Sequence, residues 1–306
     1  MENFDMNQSV PDKFIFKKER EFGEIISDTF TFFSKNHKTL SRIFLIFIGP
    51  FVLLTIIGST LYQYKTGDLF TDITAISSNP DSVIRAFSEN ILVLLFFLAV
   101  SIATTIIIYG TVIHTIKSYI KNDGEILESD ISEGLKKDFL KLLAYFILEV
   151  ILVMIGAFLC ILPGFYLWVV LTPGIVMLIM EDISAPDAIS KSFQLIKDNW
   201  WITFATILVF SILISILGFV FQLPTIIYSF VERFTAFESA QDGNAFEVGE
   251  MYQNWLFLFF TAISVLGQYF LSIFTIIMTA LVYFNLSEKQ NFSGTYEQID
   301  QIGTDD

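Results

Sequence analysis

Six long apolar stretches alternate with polar segments along this chain. They comprise residues 41–62, 90–113, 140–162, 164–180, 200–223 and 254–284. Because an α-helix rises about 1.5 Å per residue and the hydrocarbon core of a bilayer is about 30 Å thick, about 20 apolar residues suffice for one crossing. Residues 164–180 reach only about 26 Å on the same rule. The pattern predicts an all-α fold, a polytopic membrane bundle of six transmembrane helices.

The third and fourth stretches meet at Pro163 and Gly164, with no polar loop between them. A re-entrant hairpin and a pair of full crossings would both return the chain to the same side of the membrane. The sequence therefore leaves both topologies open.

Amphipathic segments precede the first, third and fifth apolar stretches. Their apolar residues recur at helical spacing, which is typical of helices that lie in the membrane interface. These residues are Phe22, Ile25, Ile26, Phe30 and Phe33 in the first segment, Ile131, Leu135, Phe139 and Leu142 in the second, and Ile189, Phe193, Ile196 and Trp200 in the third. We expect three cytoplasmic interfacial helices.

The first and third amphipathic segments also match residue by residue. Residues 24–30 read Glu-Ile-Ile-Ser-Asp-Thr-Phe, and residues 187–193 read Asp-Ala-Ile-Ser-Lys-Ser-Phe. Two interpretations stay open. Either the chain contains three repeats of an interfacial helix followed by a transmembrane hairpin, or the match reflects a general pattern of helices beside membranes.

Positive charge indicates the orientation, because cytoplasmic loops retain Lys and Arg. With the N-terminus inside, only Lys65, Arg85 and Arg233 of the 18 Lys and Arg residues fall outside. Both termini are predicted to be cytoplasmic. The predicted organisation is a polar N-terminal tail (1–20), a membrane domain (21–285) and a disordered acidic C-terminal tail (286–306).

Composition narrows the function classes. The net charge of -14 disfavours nucleic acid as a partner, because phosphate binding needs clustered Lys and Arg. The two histidines, His37 and His114, have no His or Cys neighbour at a metal-ligand spacing, and no catalytic motif occurs. We expect neither a metal nor a cofactor, and no enzymatic activity.

Glu149 is the charged residue most deeply placed in a predicted span, where a carboxylate is costly. One interpretation is a proton or cation site shared with His114, Gln222 and Gln268. Another is a structural hydrogen bond between helices. A membrane-embedded lipid hydrolase would need Glu149 to meet His114 or another polar group in one cleft.

Pro173 and Gly174 interrupt the fourth stretch. Transporters place substrate sites at broken helices, where freed carbonyl groups can coordinate. Proline kinks are also common in membrane helices that only need to bend. The break therefore supports either a site or a plain kink.

Several motifs resemble the membrane domain attached to some bacterial glycerophosphoryl diester phosphodiesterases. They are residues 163–167 (Pro-Gly-Phe-Tyr-Leu), 181–182 (Glu-Asp), 188–193 (Ala-Ile-Ser-Lys-Ser-Phe) and 199–201 (Asn-Trp-Trp), with 22–26 and 283–289 resembling the start and end of that family. The chain has no room for the separate phosphodiesterase domain. The resemblance implies a stand-alone bacterial member without that catalytic activity.

The sequence as a whole predicts a non-enzymatic, multi-pass protein of a bacterial inner membrane. Its expected partners are the lipid bilayer and other membrane proteins or lipids, and its expected role is to organise or assist lipid- or protein-related processes. The alternative is a small-solute permease or lipid translocator that works through Glu149 and the Pro173-Gly174 break. The oligomeric state does not follow from the sequence.

Overall fold

The computed structural model describes residues 13–74, 80–241 and 248–292, and every regular element in these ranges is a helix. The helices are α1 (Phe22–Ile43), α2 (Gly49–Thr74), α3 (Pro80–Lys121), α4 (Glu128–Leu159), α5 (Ile161–Leu171), α6 (Gly174–Met180), α7 (Ala185–Ile196), α8 (Trp200–Gln241), α9 (Val248–Gln253) and α10 (Trp255–Asn291). Six helical stretches are long and apolar enough to cross a membrane. The predicted all-α class is confirmed.

The predicted first span is part of a longer helical run. A π-helical turn, Phe44–Ile48, joins α1 to α2, and the Gly49 N–H bonds to the Phe44 carbonyl five residues back. Pro50 follows directly. Because a proline ring clashes with the carbonyl four residues before it, a locally wider turn lets the helix continue past Pro50.

The turn between the third and fourth spans lies earlier than predicted. Helix α4 ends at Leu159, and Cys160 has extended backbone angles (φ -170, ψ 150). Pro163 lies in the first turn of α5, where the N–H that it lacks would have no helical partner. Gly164 packs against α4 so closely that a Cβ atom there would lie 2.6 Å from the Ala157 backbone nitrogen. Pro163 and Gly164 thus belong to the start of α5, and the chain reverses direction before them, at Cys160.

The described chain divides into two compact units. The first contains residues 13–40, 112–207 and 276–292, and the second contains residues 41–74, 80–111, 208–241 and 248–275.

The first unit contains all three amphipathic helical segments. Each buries residues at positions i, i+4 and i+7, so that one face packs into the protein. These residues are Ile25, Thr29 and Phe32 in α1, Ile131, Leu135 and Asp138 in α4, and Ala188, Ser192 and Leu195 in α7. In α7 the buried face is rotated from the predicted one, because Phe193 is exposed and Ile189 and Trp200 are half-buried, while Ile196 is buried as expected. In α4 the predicted Ile131, Leu135 and Leu142 are buried.

The chain before α1, residues 13–21, packs on the first unit as a non-helical strap. Phe14 and Phe16 are buried, and the Phe16 ring contacts those of Phe32 and Phe284. Arg20 is also buried, and its Nε donates to Asp28 at 2.8 Å. The predicted polar tail therefore contains an apolar anchor, because Phe14 and Phe16 lie between Lys13 and Lys17.

Helix α10 extends beyond the predicted end of the membrane domain. It continues to Asn291, and Leu286 and Glu288 are both buried. Residues 293–306 of the predicted disordered tail lie outside the described residues, so that part of the expectation stays a prediction.

Polar contacts between helices occur in the second unit. The Thr55 and Thr104 hydroxyls lie 2.8 Å apart between α2 and α3, and both residues are buried. Ser264 of α10 donates to the Phe221 carbonyl of α8 at 2.9 Å, three residues before Pro224. One contact thus joins two hydroxyl groups, and the other satisfies a backbone carbonyl near a proline. Both are typical of helices in membranes, where polar groups need protein partners.

Candidate functional site

A polar cavity of about 220 Å³ lies where the end of α3 meets the start of α4, in the first unit. It is lined by basic, acidic and hydroxyl side chains together with one histidine. The lining residues are His114, Lys117, Ser118, Lys121, Asp130, Glu133, Gly134, Lys137 and Asp138. We refer to this feature as the His114 cavity.

His114 and Asp138 form the buried floor of the His114 cavity. Their exposed fractions are 5% and 2%, and His114 Nε2 lies 3.4 Å from Asp138 Oδ2. This contact does not align as a hydrogen bond, so Nε2 has no hydrogen-bond partner in the described chain. Gly134 makes room for the ring, because a Cβ atom there would lie 2.3 Å from His114 Nδ1. A buried polar atom without a partner is unusual and is commonly satisfied by water or a ligand.

Ser118, His114 and Asp138 all line the His114 cavity, but they do not form a catalytic triad. The Ser118 hydroxyl donates to Asp130 Oδ2 at 3.0 Å and accepts from the Leu127 N–H at 3.0 Å. Nucleophilic catalysis would require the serine hydroxyl to donate to the histidine. The hydroxyl instead ties the loop after α3 to the start of α4.

Three lysines surround the opening of the His114 cavity, and each has a protein partner. Lys117 donates to the Ile179 carbonyl, Lys121 pairs with Asp130 at 2.9 Å, and Lys137 pairs with Asp182 at 2.5 Å. Because an ammonium group carries three donors, each lysine can bind a further acceptor. The cavity can therefore accommodate a group that carries negative charge.

The turn between α6 and α7 connects several helices through two carboxylates. Asp182, which has a left-handed backbone (φ 53), pairs with Lys141 at 2.6 Å as well as with Lys137. Glu181 accepts from Lys191 at 2.6 Å and from the Tyr283 hydroxyl at 3.1 Å. We call Glu181 and Asp182 the acidic turn.

The lysines of α4 change the acidity of the acidic turn. Hydrogen bonds from Lys137 and Lys141 hold the pKa of the Asp182 carboxyl well below its usual range. Asp182 therefore stays ionised under all physiological conditions, and the turn remains attached to α4.

Glu149 and His114, both predicted site residues, lie at separate places in the first unit. Glu149 is half-buried on α4 and lies eleven residues after Asp138, which corresponds to about 16 Å along the helix. His114 contacts the Asp138 end, so His114 and Glu149 do not share a cleft. Gln222 and Gln268 belong to the second unit, and both side chains are exposed.

Pro173 and Gly174 do break the helix, but protein groups fill the break. Helix α5 ends at Leu171, and α6 begins at Gly174. The Tyr145 hydroxyl donates to the freed Leu171 carbonyl at 2.5 Å. A Cβ atom on Gly174 would lie 2.1 Å from Tyr145 Oη and 2.3 Å from Ser192 Oγ. The geometry is that of a kink sealed by neighbouring side chains.

Asp138 and Tyr145 are the important polar residues that the sequence reading missed. Asp138 lies seven residues after Ile131 and four before Leu142, so it shares the apolar face of that segment. A carboxylate on an otherwise apolar face was the available signal. Tyr145 gave no such signal, because its partner lies 26 residues away.

The fold and the cavity define a class: the chain is a multi-pass, all-helical membrane protein. No family model matches the sequence, and neither a curated protein nor a solved structure gives a significant match. The resemblance to the glycerophosphoryl diester phosphodiesterase membrane domain therefore stays a prediction. Among the described residues, no group of three or more His, Cys, Asp or Glu side chains could hold a metal ion.

Proposed function

We propose that the protein is a non-enzymatic component of a bacterial cytoplasmic membrane that binds a phosphate-bearing, zwitterionic lipid headgroup in the His114 cavity. Both termini and the cavity lie on the cytoplasmic side in this proposal. The argument depends on His114 Nε2, which is buried in a lysine-lined cavity and has no hydrogen-bond partner among the described residues.

The position of the His114 cavity along the helices matches the depth of lipid headgroups. The apolar stretch of α3 ends at residue 113, and that of α4 begins at residue 140. The lining residues occupy positions 114–121 and 130–138, directly beside these stretches. Residues next to the hydrocarbon boundary lie among phosphate and ammonium groups.

The chemistry of the lining fits both charges of such a headgroup. Lys121 and Lys137 are more than half exposed and can donate to a phosphate, while Glu133 is exposed and can accept from an ammonium group. With a volume of about 220 Å³, the cavity has room for several water molecules. A small polar headgroup could displace that water.

A permease that works through Glu149 and the helix break receives less support. The Leu171 carbonyl, which would be free to coordinate a solute, accepts a hydrogen bond from Tyr145. A hydrolase with Ser118 as its nucleophile also receives less support, because the Ser118 hydroxyl donates to Asp130.

The test measures how a water-soluble, short-chain phosphatidylethanolamine changes the thermal unfolding of the purified protein in detergent. A ligand at 100 times its Kd should stabilise the folded state by about 2.7 kcal/mol. We expect this stabilisation in the wild-type protein and a clear reduction in Lys137→Gln. Free phosphoethanolamine, tested separately, distinguishes a soluble ligand from a lipid.

Lys136→Gln is the matched control. Lys136 and Lys137 are adjacent and both exposed, but only Lys137 lines the His114 cavity. We expect Lys136→Gln to retain the full lipid-induced shift. An equal shift in both variants, or none in the wild-type protein, would contradict headgroup binding at this cavity.

A further inference from the structure

Among the described residues of the first unit, the tip of the hairpin formed by α4 and α5 is the most exposed run of large apolar side chains. Phe158, Leu159, Ile161 and Leu162 have exposed fractions of 93%, 76%, 79% and 77%. They flank Cys160, the single extended residue of the turn. We call residues 158–162 the hairpin tip.

The hairpin tip differs from the other two connections that the sequence predicts on the outer side of the membrane. Residues 63–89 and 224–253 carry several acidic residues, as loops in water do. By contrast, no charged residue occurs between Glu149 and Glu181. A water-exposed turn made of four large apolar side chains would be unfavourable, at roughly 25 cal/mol for each Å² of apolar surface.

Both legs of the hairpin are slightly too short to carry the hairpin tip out of the membrane. Lys141 and Asp182 form an ion pair at the base of the legs, and charges of this kind stay outside the hydrocarbon. From Lys141 to Leu159 the helix rises about 27 Å, and from Ile161 to Met180 the return leg rises about 29 Å. The hydrocarbon core is about 30 Å thick.

The backbone of the turn is compatible with an apolar environment. The turn has only one non-helical residue, and the Cys160 N–H still bonds to the Gly156 carbonyl at 3.0 Å. Pro163 removes one of the donors that would otherwise be unpaired at the start of α5. Few polar backbone groups are therefore left without partners at the hairpin tip, as hydrocarbon demands.

We propose that α4, α5 and α6 form a re-entrant hairpin whose tip contacts the acyl chains of the far leaflet and does not reach the aqueous phase. The occupant of this surface is lipid hydrocarbon. The proposal is independent of the headgroup site, which lies at the opposite end of α4.

The native cysteine allows a direct test, because Cys160 is the only cysteine in the chain and lies within the hairpin tip. A nitroxide spin label is attached to Cys160 of the wild-type protein, which is then reconstituted into phosphatidylethanolamine and phosphatidylglycerol vesicles. Power-saturation electron paramagnetic resonance compares collisions with oxygen, which dissolves in hydrocarbon, and with a neutral nickel chelate, which stays in water. We expect oxygen collisions to dominate, which gives a positive depth parameter.

The control places the label on the same helix in water, as Lys136→Cys combined with Cys160→Ser. It should give a negative depth parameter and shows that labelling and reconstitution leave the protein folded. Dominant nickel collisions at Cys160 would overturn the proposal and indicate an aqueous turn. Low collision rates with both reagents would also overturn it, because they would indicate that protein, such as a second copy, covers the hairpin tip.

Discussion

Single polar groups determine how the broken helix is stabilised. The Leu171 carbonyl, which the break between α5 and α6 leaves without a helical partner, is a liability in a membrane protein, and the Tyr145 hydroxyl, 26 residues away in sequence, donates a hydrogen bond to it. Because Gly174 has no Cβ atom, the Tyr145 hydroxyl can approach the break directly; a Cβ atom there would overlap with it. Tyr145 and Gly174 thus occupy the helix break that the sequence left open as a possible solute site.

Tyr145→Phe should destabilise the protein by about 1–3 kcal/mol, because a buried carbonyl would lose its hydrogen-bond partner. Thermal unfolding of the purified protein in detergent measures the change. Tyr166→Phe is the control: Tyr166 is exposed and stacks on Trp200, and it should unfold like the wild type. Equal stability of Tyr145→Phe and the wild type would show that the hydroxyl does not seal the break.

Residue-level prediction worked where local pattern determines the outcome. The helix break at Pro173 and Gly174 followed from residue type alone. The His114 cavity did not follow, because Gly134 and Asp138 meet His114 only after α3 and α4 pack. Contacts between distant residues leave no periodic signal in one sequence.

Helices α1 and α7 share a pattern of burial and hydrogen bonding. The aligned residues of α1 and α7 are buried at equivalent positions, Ile25 with Ala188 and Thr29 with Ser192. Each hydroxyl also donates to the carbonyl four residues before it, at 2.8 Å in α1 and 2.7 Å in α7. This match supports the predicted internal repeat, which stays a prediction.

The acidic turn should respond to pH in a defined way. Since the pKa of Asp182 is lowered in the folded protein, its ion pairs stabilise the fold fully above the ordinary aspartate pKa of about 3.9. Asp182→Asn should therefore lower Tm by a constant amount between about pH 5 and 8, and the difference should shrink as the pH falls below about 4.

Unfolding in low-salt detergent solution at several pH values measures this dependence. Asp198 is exposed and has no ion pair in the described chain, so Asp198→Asn serves as the control and should leave Tm nearly unchanged. A Tm difference for Asp182→Asn that grew in acid would contradict the assigned sign.

The sequence predicted the number of membrane-length helices more reliably than the contacts between residues. Apolar length alone identified six membrane-length helices, because hydrocarbon thickness imposes that length on any span. It placed the turn between the third and fourth spans at Pro163 and Gly164, whereas the structure places it at Cys160. Proline is compatible with both a turn and the first turn of a helix, so residue type could not separate the two.

The predicted orientation can be tested with fluorescent protein fusions. Green fluorescent protein fused after Asp306 should fluoresce, because it matures in the cytoplasm, whereas a fusion inserted after Asp242 should remain dark on the outer side. Equal protein levels of the two fusions, measured by immunoblotting, provide the control. A dark C-terminal fusion with a fluorescent loop fusion would reverse the topology.

The strap before α1 contacts α10, a helix that the ribosome makes much later. The Arg20 N–H donates to Asn285 Oδ1 at 2.8 Å, a bond between residues 265 positions apart. At roughly 5–20 residues per second, a ribosome needs about 13–53 s to travel that distance. During this interval the Arg20 N–H lacks its Asn285 acceptor, and the Phe16 ring lacks its contact with Phe284. The strap therefore completes its docking only after α10 has been synthesised and inserted.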